Sequence, residues 1–600
     1  MIDLLCVNNL DLCERVDILD CPFSNHFFIH CNLNLRAVKS KPKFITARVL
    51  NEKNLYEINC LLYDEIHKFN LIDSLDDIDE KFDSFESILT NIVDSVAPLK
   101  KFRSRRVDNC AWMDKELLYA LRKRDSLHAR FITCGSDKLS NEWYEFKEAR
   151  NYFKSLSRAK MREFYADKTL SKFKNPRDYW NFYRKVVKTK KACGNEAIAS
   201  LNINDVIVSD KSDLANEFNK FFGNFNFPNI VSDYESESFV NDFFHDLKRK
   251  GKFKNLEPFS FKPVTSVIVK KLLDGLDSSS SSGNSLISVK VLKYCSELLS
   301  PILANIFNEC IMKARVTKSW KFAIVTPLFK GKGANDLCDN YRGISVLQPI
   351  SKIFERVLAN QIVIYFKINS FLSPYQHGFR EGYSCETALQ SILDNWKCGI
   401  ENKEIVISFF IDFKKAFDLI NPKLLFLKLF HYGFDNNSLE LVKHYFKERS
   451  QKTRVCDCLS SSLDLSIGVP QGSVLGPLFF LIYINDLSYS TDLFIYLFAD
   501  DTTVFIRNKN LSNLISQFKA KMEIILEWIK YNQLTINWNK SKVMFFTNQM
   551  VDLPNILVIE SNAVEVVNEF KLLGITIDNR LNFKKHIENI KKLVNKKIFS

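Results

Sequence analysis

An α+β fold, with a mixed helix-and-strand catalytic region behind a mainly helical N-terminal region, is predicted by three features of the chain. Apolar residues recur at helical spacing through a basic stretch at residues 100–191: Leu117 and Leu121, then Trp143, Phe146, Tyr152 and Phe153. From residue 320 to 583, short β-rich apolar runs alternate with amphipathic helical stretches. At 600 residues and 46% hydrophobic content, the chain has material for several buried cores.

Taken in order, residues 4–7 and 27–31 read as short strands, too few to close a sheet alone. An acidic patch at residues 73–80 precedes the basic helical stretch, which carries Arg103, Arg105, Arg106, Arg122, Lys123, Arg124, Arg158, Lys160 and Arg162. Two readings fit those cations: helices with solvated charged faces, or a surface that follows a phosphate backbone. The serines at 278–282, followed by Gly283-Asn284, mark a loop between two helical segments. Beyond it, strands are expected at residues 323–328, 405–411, 495–498 and 542–547, and helices at 350–364, 422–430 and 513–530.

Charge and cysteine usage narrow the function classes. With 84 Lys and Arg against 70 Asp and Glu, the formal charge of +14 suits a polyanionic partner, although the excess also serves solubility. Fifteen cysteines occur without a CxxC pair, Cys456 and Cys458 being the closest, so neither a structural zinc nor a disulfide framework is indicated and reduced intracellular thiols are expected. The acids Asp11, Glu14 and Asp17 do not fit a secretory signal. The longest apolar run, residues 474–484, is too short to span a bilayer and contains Gly476-Pro477, so no membrane partner is expected.

The chemistry concentrates in carboxylates. Ala499-Asp500-Asp501-Thr502 lies between two apolar runs, which places paired acids at a hairpin tip. The buried run at 405–411 ends on Asp412, and an acid at a strand's exit faces a cleft. If that strand lies beside the hairpin, Asp412, Asp500 and Asp501 converge, and like charges so close need cations. Mg²⁺, a hard ion that bridges carboxylates to substrate phosphates, fits as a pair of ions about 3.5–4 Å apart, with Mn²⁺ as a substitute. The chemistry implied is phosphoryl transfer, with Asp412 and Asp500 as main ligands and Asp501 as ligand or support. Asp418, after a turn, reads as an ordinary helix N-terminal acid favoured by the macrodipole.

Residues 320–587 resemble the reverse transcriptase of non-LTR, LINE-type and jockey-like retrotransposons. The resemblance rests on Phe410-x-Asp412-x-x-x-Ala416-Phe417-Asp418, on Phe498-Ala499-Asp500-Asp501, and on Gly468-Val469-Pro470-Gln471-Gly472-Ser473 between them. Upstream, Pro327-Leu328-Phe329-Lys330-Gly331 and Asn340-Tyr341-Arg342-Gly343-Ile344-Ser345 resemble finger motifs, in which Lys330 and Arg342 are implied to contact a triphosphate. Gly343 replaces the family's usual proline, which is expected to loosen a turn. Gln376-His377-Gly378-Phe379-Arg380 resembles a template- or finger-packing segment, with His377 structural rather than catalytic. The block at residues 534–542 resembles the motif whose lysine, here Lys540, assists pyrophosphate departure, and residues 570–575 with His586-Ile587 resemble a primer-gripping hairpin and the start of a thumb.

The resemblance implies a right-hand polymerase, an RNA-directed DNA polymerase that takes an RNA template, a DNA primer and deoxynucleoside triphosphates. Gln471 can both donate and accept hydrogen bonds at the nucleotide, and the glycines at 468, 472 and 476 would let backbone approach it, Gly472 being counted in the nucleotide site. Phe417, five residues after Asp412, is a ring suited to exclude a ribose 2′-hydroxyl; with Ala499 it argues against RNA-dependent RNA polymerases. The domains expected are an endonuclease C-terminal remnant at 1–38, a helical basic region at 39–260, fingers and palm at 261–577, and the beginning of a thumb at 578–600. In the remnant, Ser24-Asn25-His26 stands where an apurinic-type endonuclease closes on Ser-Asp-His, so no endonuclease activity is expected. The alternatives are a group II intron-type reverse transcriptase and a catalytically silent RNA-binding relic.

Overall fold

The computed structural model describes residues 13–19, 28–33, 44–103, 112–134, 140–166, 198–224, 231–253 and 257–598. The Ser24-Asn25-His26 motif, the expected strand at 4–7 and the cations Arg105 and Arg106 lie outside them. The described residues fall into two compact units, one formed by residues 1–49 and 98–190, the other by residues 50–97 and 191–600.

In the first unit, Cys13–Leu19 pairs antiparallel with Phe28–Leu33, and Phe44–Ala47 with Lys100–Arg103. Two helices follow, Lys115–Thr133 and Asn141–Ala166, as the apolar spacing predicts. Asp114 caps the first by accepting from the Leu117 amide at 2.8 Å. Leu117 is fully buried, Phe131 packs on Trp143 at 5.2 Å, and His128 packs on Phe146 at 4.6 Å. Tyr152, expected on this face, points to solvent instead.

The second unit is a mixed helix-and-sheet body built on two sheets. In one, Phe322–Phe329 pairs parallel with Arg449–Val455 and antiparallel with Tyr341–Val346, which lies at the sheet's edge. The other is antiparallel, in the order Phe494–Phe498, Asp501–Asn508, Ile405–Ile411, Lys542–Phe546. All seven residues of Ile405–Ile411 are buried, because both faces of this strand are covered. Ile405, Ile407, Phe409 and Ile411 enter the main core, while Val406 and Phe410 enter a second core around Trp396 and Phe546. That two-sided burial explains why the run is continuously apolar rather than alternating.

The helices Pro349–Ile368, Pro422–His431 and Leu511–Tyr531 lie where their periodicity predicts. The acidic patch at 73–80 runs from the short 3-10 helix Leu71–Ser74 into the first turn of the helix Ile78–Val96, which Asp77 caps through the amides of Asp79 and Glu80. The serine run at 278–282 lies in the loop between Ser266–Asp274 and Val289–Tyr294. A hairpin of Glu569–Leu572 and Ile575–Asp578 packs Phe570 flat on Phe410, centroids 4.1 Å apart, before the helix Lys584–Ile598. Among the described residues no helix is long and apolar enough to cross a membrane.

Candidate active site

A two-residue loop, Ala499-Asp500, joins the paired ends Phe498 and Asp501. Ala499 has φ 56°, the positive value that the first position of a type II′ turn requires, and this conformation matches the twist of the flanking strands. The neighbouring strand is in register with Ile411 opposite Thr502, so the next residues outward, Asp412 and Asp501, stand at the same end of the ladder. The Asp412 backbone is held from its other side: its amide donates to Ser541 Oγ at 3.1 Å, and its carbonyl accepts from the Asn537 amide at 2.7 Å.

The three carboxylates at this end of the ladder feel one another's charge. Desolvation raises Asp500 above the usual carboxylate value, Asp412 adds to the rise, and Arg342 opposes it. Asp501 is the most open of the three by surface area, yet enough protein surrounds it that desolvation, then Asp500 and Asp412, push it up to about 6. The donors are carboxylate oxygens, the ligand chemistry of hard divalent cations, and a cation among them would relieve this repulsion. Among the described residues, no group of three His, Cys, Asp or Glu side chains is gathered tightly enough to hold an ion by itself. The residues fit a metal through charge and register rather than as a closed cage.

A cavity of about 1300 Å³ opens beside the trio, with Asp412 and Asp500 on its wall. Lys330, Arg342, Phe417, Gln471, Gly472 and Lys540 line it too, so residues that are far apart in the chain meet around one space. Lys540 Nζ stands 3.7 Å from Asp412 Oδ2. Lys330 Nζ donates to the Asp339 carbonyl at 2.6 Å, and desolvation followed by Arg342 and Lys540 lowers its pKa. Carboxylates and cations thus share one cavity, an arrangement suited to a phosphorylated, metal-bound ligand.

Phe417 stacks on Phe480 with centroids 4.5 Å apart, which fixes the ring while leaving it half-buried at the cavity wall. The Gln471–Gly472 loop is bound to the edge strand, the Ser345 amide donating to the Gln471 carbonyl at 2.7 Å. Gly472 has φ 125°, and a Cβ there would lie 2.4 Å from the Ser345 carbonyl oxygen. Its missing side chain therefore permits the contact between loop and strand at the cavity wall.

Two expectations are corrected. Asp418 is not at a helix N-terminus: Asn421 caps a helix that begins at Pro422, and residues 414–419 form turns. Asp418 instead lines the cavity and accepts from Gln471 Nε2 at 2.9 Å; desolvation pushes it up to about 6 against the pull of Gln471, Lys415 and Lys330. Gly343 lies not in a turn but in the ladder, opposite Pro327. Ser541 is a supporting residue that carries no mark in the sequence, whereas the Gln376–Gly378 segment, expected to pack, does so against the strand that leads into the carboxylate turn. The His377 amide donates to the Leu497 carbonyl at 2.8 Å, beside the carboxylate turn, and its buried ring lies 3.1 Å from Thr387 Oγ1.

Residues 330–577 match the family described as reverse transcriptase (RNA-dependent DNA polymerase). The chain is 28% identical over 345 residues to the RNA-directed DNA polymerase from mobile element jockey of Drosophila melanogaster, an alignment covering 56% of the chain and 37% of that protein. It is 29% identical over 353 residues to a Drosophila melanogaster protein named "Probable RNA-directed DNA polymerase from transposon X-element", covering 57% of the chain and 38% of that protein. The jockey polymerase of Drosophila funebris is 28% identical over 343 residues, covering 55% and 36%. The chain therefore spans well under half the length of these relatives.

Proposed function

From the premise that residues 330–577 are a reverse transcriptase domain, we propose that this chain is an RNA-directed DNA polymerase of the non-LTR, jockey-like type, adding deoxynucleotides to a primer 3′-hydroxyl. The reading is carried by the meeting of Asp412 with Asp500 and Asp501 at one end of the ladder, where Asp412 raises the cost of charge on both partners and, with Asp500, lines a cation-rich cavity. The right-hand assignment follows it: fingers and palm over 261–577, and the helix Lys584–Ile598 as the start of a thumb.

Asp412 and Asp500, with Asp501 as ligand or support, would hold two Mg²⁺ ions. When bound, such ions supply a lowered pKa to the attacking hydroxyl and charge neutralisation to the departing pyrophosphate. The protein's own groups do the rest. Lys330 and Arg342 attract and orient the triphosphate, Arg through its fork and Lys as a point charge. Lys540, already beside Asp412, is placed to meet pyrophosphate charge. Gln471 is oriented by Asp418 toward the nucleotide, and Phe417, braced by Phe480, excludes a 2′-hydroxyl. An RNA strand serves as template and a DNA strand as primer.

Primer extension on an RNA template with dNTPs and Mg²⁺ tests the reading. Even the outer-shell partners of bound metals are worth about 10–100-fold, so Asp500→Ala is expected to lose more than that. Extension that survives Asp500→Ala overturns the assignment of the carboxylates.

A further inference from the structure

The helix Lys211–Gly223 precedes the span that matches the family, yet Phe221 and Phe222 from its last turn line the same cavity as Asp412 and Asp500. Buried Asn219 fastens the helix to the first sheet. Its Oδ1 accepts from Gln451 Nε2 at 3.2 Å and Thr453 Oγ1 at 3.1 Å, and its Nδ2 donates to the Ser461 carbonyl at 3.0 Å. A buried amide satisfied on both ends fixes the helix in rotation as well as in place. From that anchor, Phe218 stacks on Phe222 at 5.6 Å and meets Tyr341 edge-on at 5.0 Å.

Phe222 then reaches the one position in the Arg342 strand that has no side chain. An ideal Cβ on Gly343 would lie 2.8 Å from Phe222 Cγ, too short for real carbons, and 3.0 Å from both Phe222 Cδ1 and Val325 Cγ1, so the ring takes the larger share of the side-chain space. The strand needs such a brace. Tyr341–Val346 is an edge strand, held by its ladder to Phe322–Phe329, and it carries Arg342 beside the cavity. By strand alternation Gly343 and Arg342 face opposite ways, so a ring wedged behind Gly343 sets how far forward Arg342 stands.

We propose that Phe222 is a positioning residue for triphosphate capture: its ring, filling the space at Gly343, holds the Arg342 strand at the level the nucleotide requires. The proposal rests on the polymerase reading of the cavity. It makes a segment outside the matched span part of the working site, and it gives a physical reason for glycine at 343, since any side chain there competes with the ring.

The test is a double-mutant cycle in the full chain with Phe222→Ala, Gly343→Ala and their combination, read in two ways. Steady-state extension on RNA gives KM for dATP and kcat; equilibrium binding of dATP with Mg²⁺ needs no turnover. Each single change is expected to raise KM and Kd about 5- to 20-fold with kcat within about twofold, short of the roughly 100-fold that 1 Å of misplacement at reacting atoms costs. The combination should be no worse than the more damaging single change, because removing the ring relieves the shortest contact of the new Cβ and leaves Val325 Cγ1, at 3.0 Å, to give by a few tenths of an ångström. Losses that multiply, or a Phe222→Ala protein that binds dATP as the parent does, overturn the proposal. If Phe222→Ala does not fold, Phe222→Leu with Gly343→Ala runs the same cycle. A parent chain that binds dATP but does not extend a primer defeats the polymerase reading and leaves the cycle on Kd to decide; one that does neither defeats both.

Discussion

Gly378 lies so close to Ala499 that an ideal Cβ on the glycine would sit 2.3 Å from the Ala499 amide nitrogen and 2.9 Å from the Phe498 carbonyl carbon. The turn carrying Asp500 is thus seated on the Gln376–Gly378 segment, which is pinned there by the His377 amide to the Leu497 carbonyl and the Leu497 amide to the Tyr375 carbonyl at 3.0 Å. Neither backbone has slack.

Gly378→Ala is therefore expected to damage chemistry beyond what its size suggests. Overpacking of this kind costs about 1–3 kcal/mol of stability. The same displacement moves Asp500, so primer extension should fall about 10- to 100-fold, the range for a misplaced catalytic group. Thermal melting and extension rates measured on one preparation check both; unchanged activity would show that the turn has another seat.

The carboxylate trio gives the metal-free protein a pH signature. Asp501 in the folded chain titrates near 6, above its unfolded value, so its contribution to stability is present when protonated, below the unfolded pKa, and is lost as pH rises through about 6. Asp500, also raised, acts in the same sense. In chelator, Asp501→Asn should stabilise the protein at pH 7.5 and not at pH 4; discounted for its solvent exposure, the gain is about 1 kcal/mol. Added Mg²⁺ should erase the advantage. The comparison of melting temperatures for parent and variant at both pH values decides it, and a gain that persists at pH 4 contradicts it.

Much of this site is legible in the sequence because its parts are local. Asp412 follows a strand whose seven apolar residues mark its burial, and Asp500-Asp501 interrupts a hairpin, so both the elements and their acids can be placed by period and turn chemistry. What cannot be read is contact between remote segments. Nothing near Asp418 announces Gln471 as its partner, nothing near Gly378 announces Ala499, and Ser541 carries no mark of its bond to the Asp412 amide. Asp418 differs from expectation for a local reason as well: Asn421 before Pro422 is the stronger helix start, and it lies beyond the acid. Glycine is the least informative residue here, since at 343 and 472 its cause is a neighbour absent from its own stretch of chain.

Phe417 offers a test of nucleotide choice. Its ring is held by Phe480 on one side and meets Phe379 edge-on at 6.1 Å, which leaves little freedom to yield to an extra hydroxyl. Phe417→Ala should leave dNTP use largely intact and raise the kcat/KM ratio of rNTP over dNTP by at least about 10-fold, the scale of a small steric change in a pocket. Competition between dATP and ATP on one template measures the ratio directly. If the parent already uses rNTPs as well as dNTPs, the ring has no such role.

The basic helices of the first unit sort into cations that build the protein and cations that remain available. Lys160, which looks from sequence like one more backbone-binding charge, is committed: its Nζ pairs with Asp114 at 2.7 Å and Glu116 at 2.9 Å, and Asp114 in turn caps the helix Lys115–Thr133. Arg158 and Arg162, one turn apart on the Asn141–Ala166 helix, are exposed. If this face follows single-stranded RNA, each phosphate contact contributes about −0.7 to the slope of log K against log salt. Replacing Arg158 and Arg162 with Gln should flatten that slope by about 1.4 if both touch phosphate. Lys160→Gln should leave the slope alone and loosen the helix pair, seen as an earlier melt of this unit. RNA-binding isotherms from 50 to about 200 mM salt separate the two kinds of cation. A slope that drops with Lys160 and not with the arginines would mean that its ion pairs open on binding and that the exposed face is merely solvated.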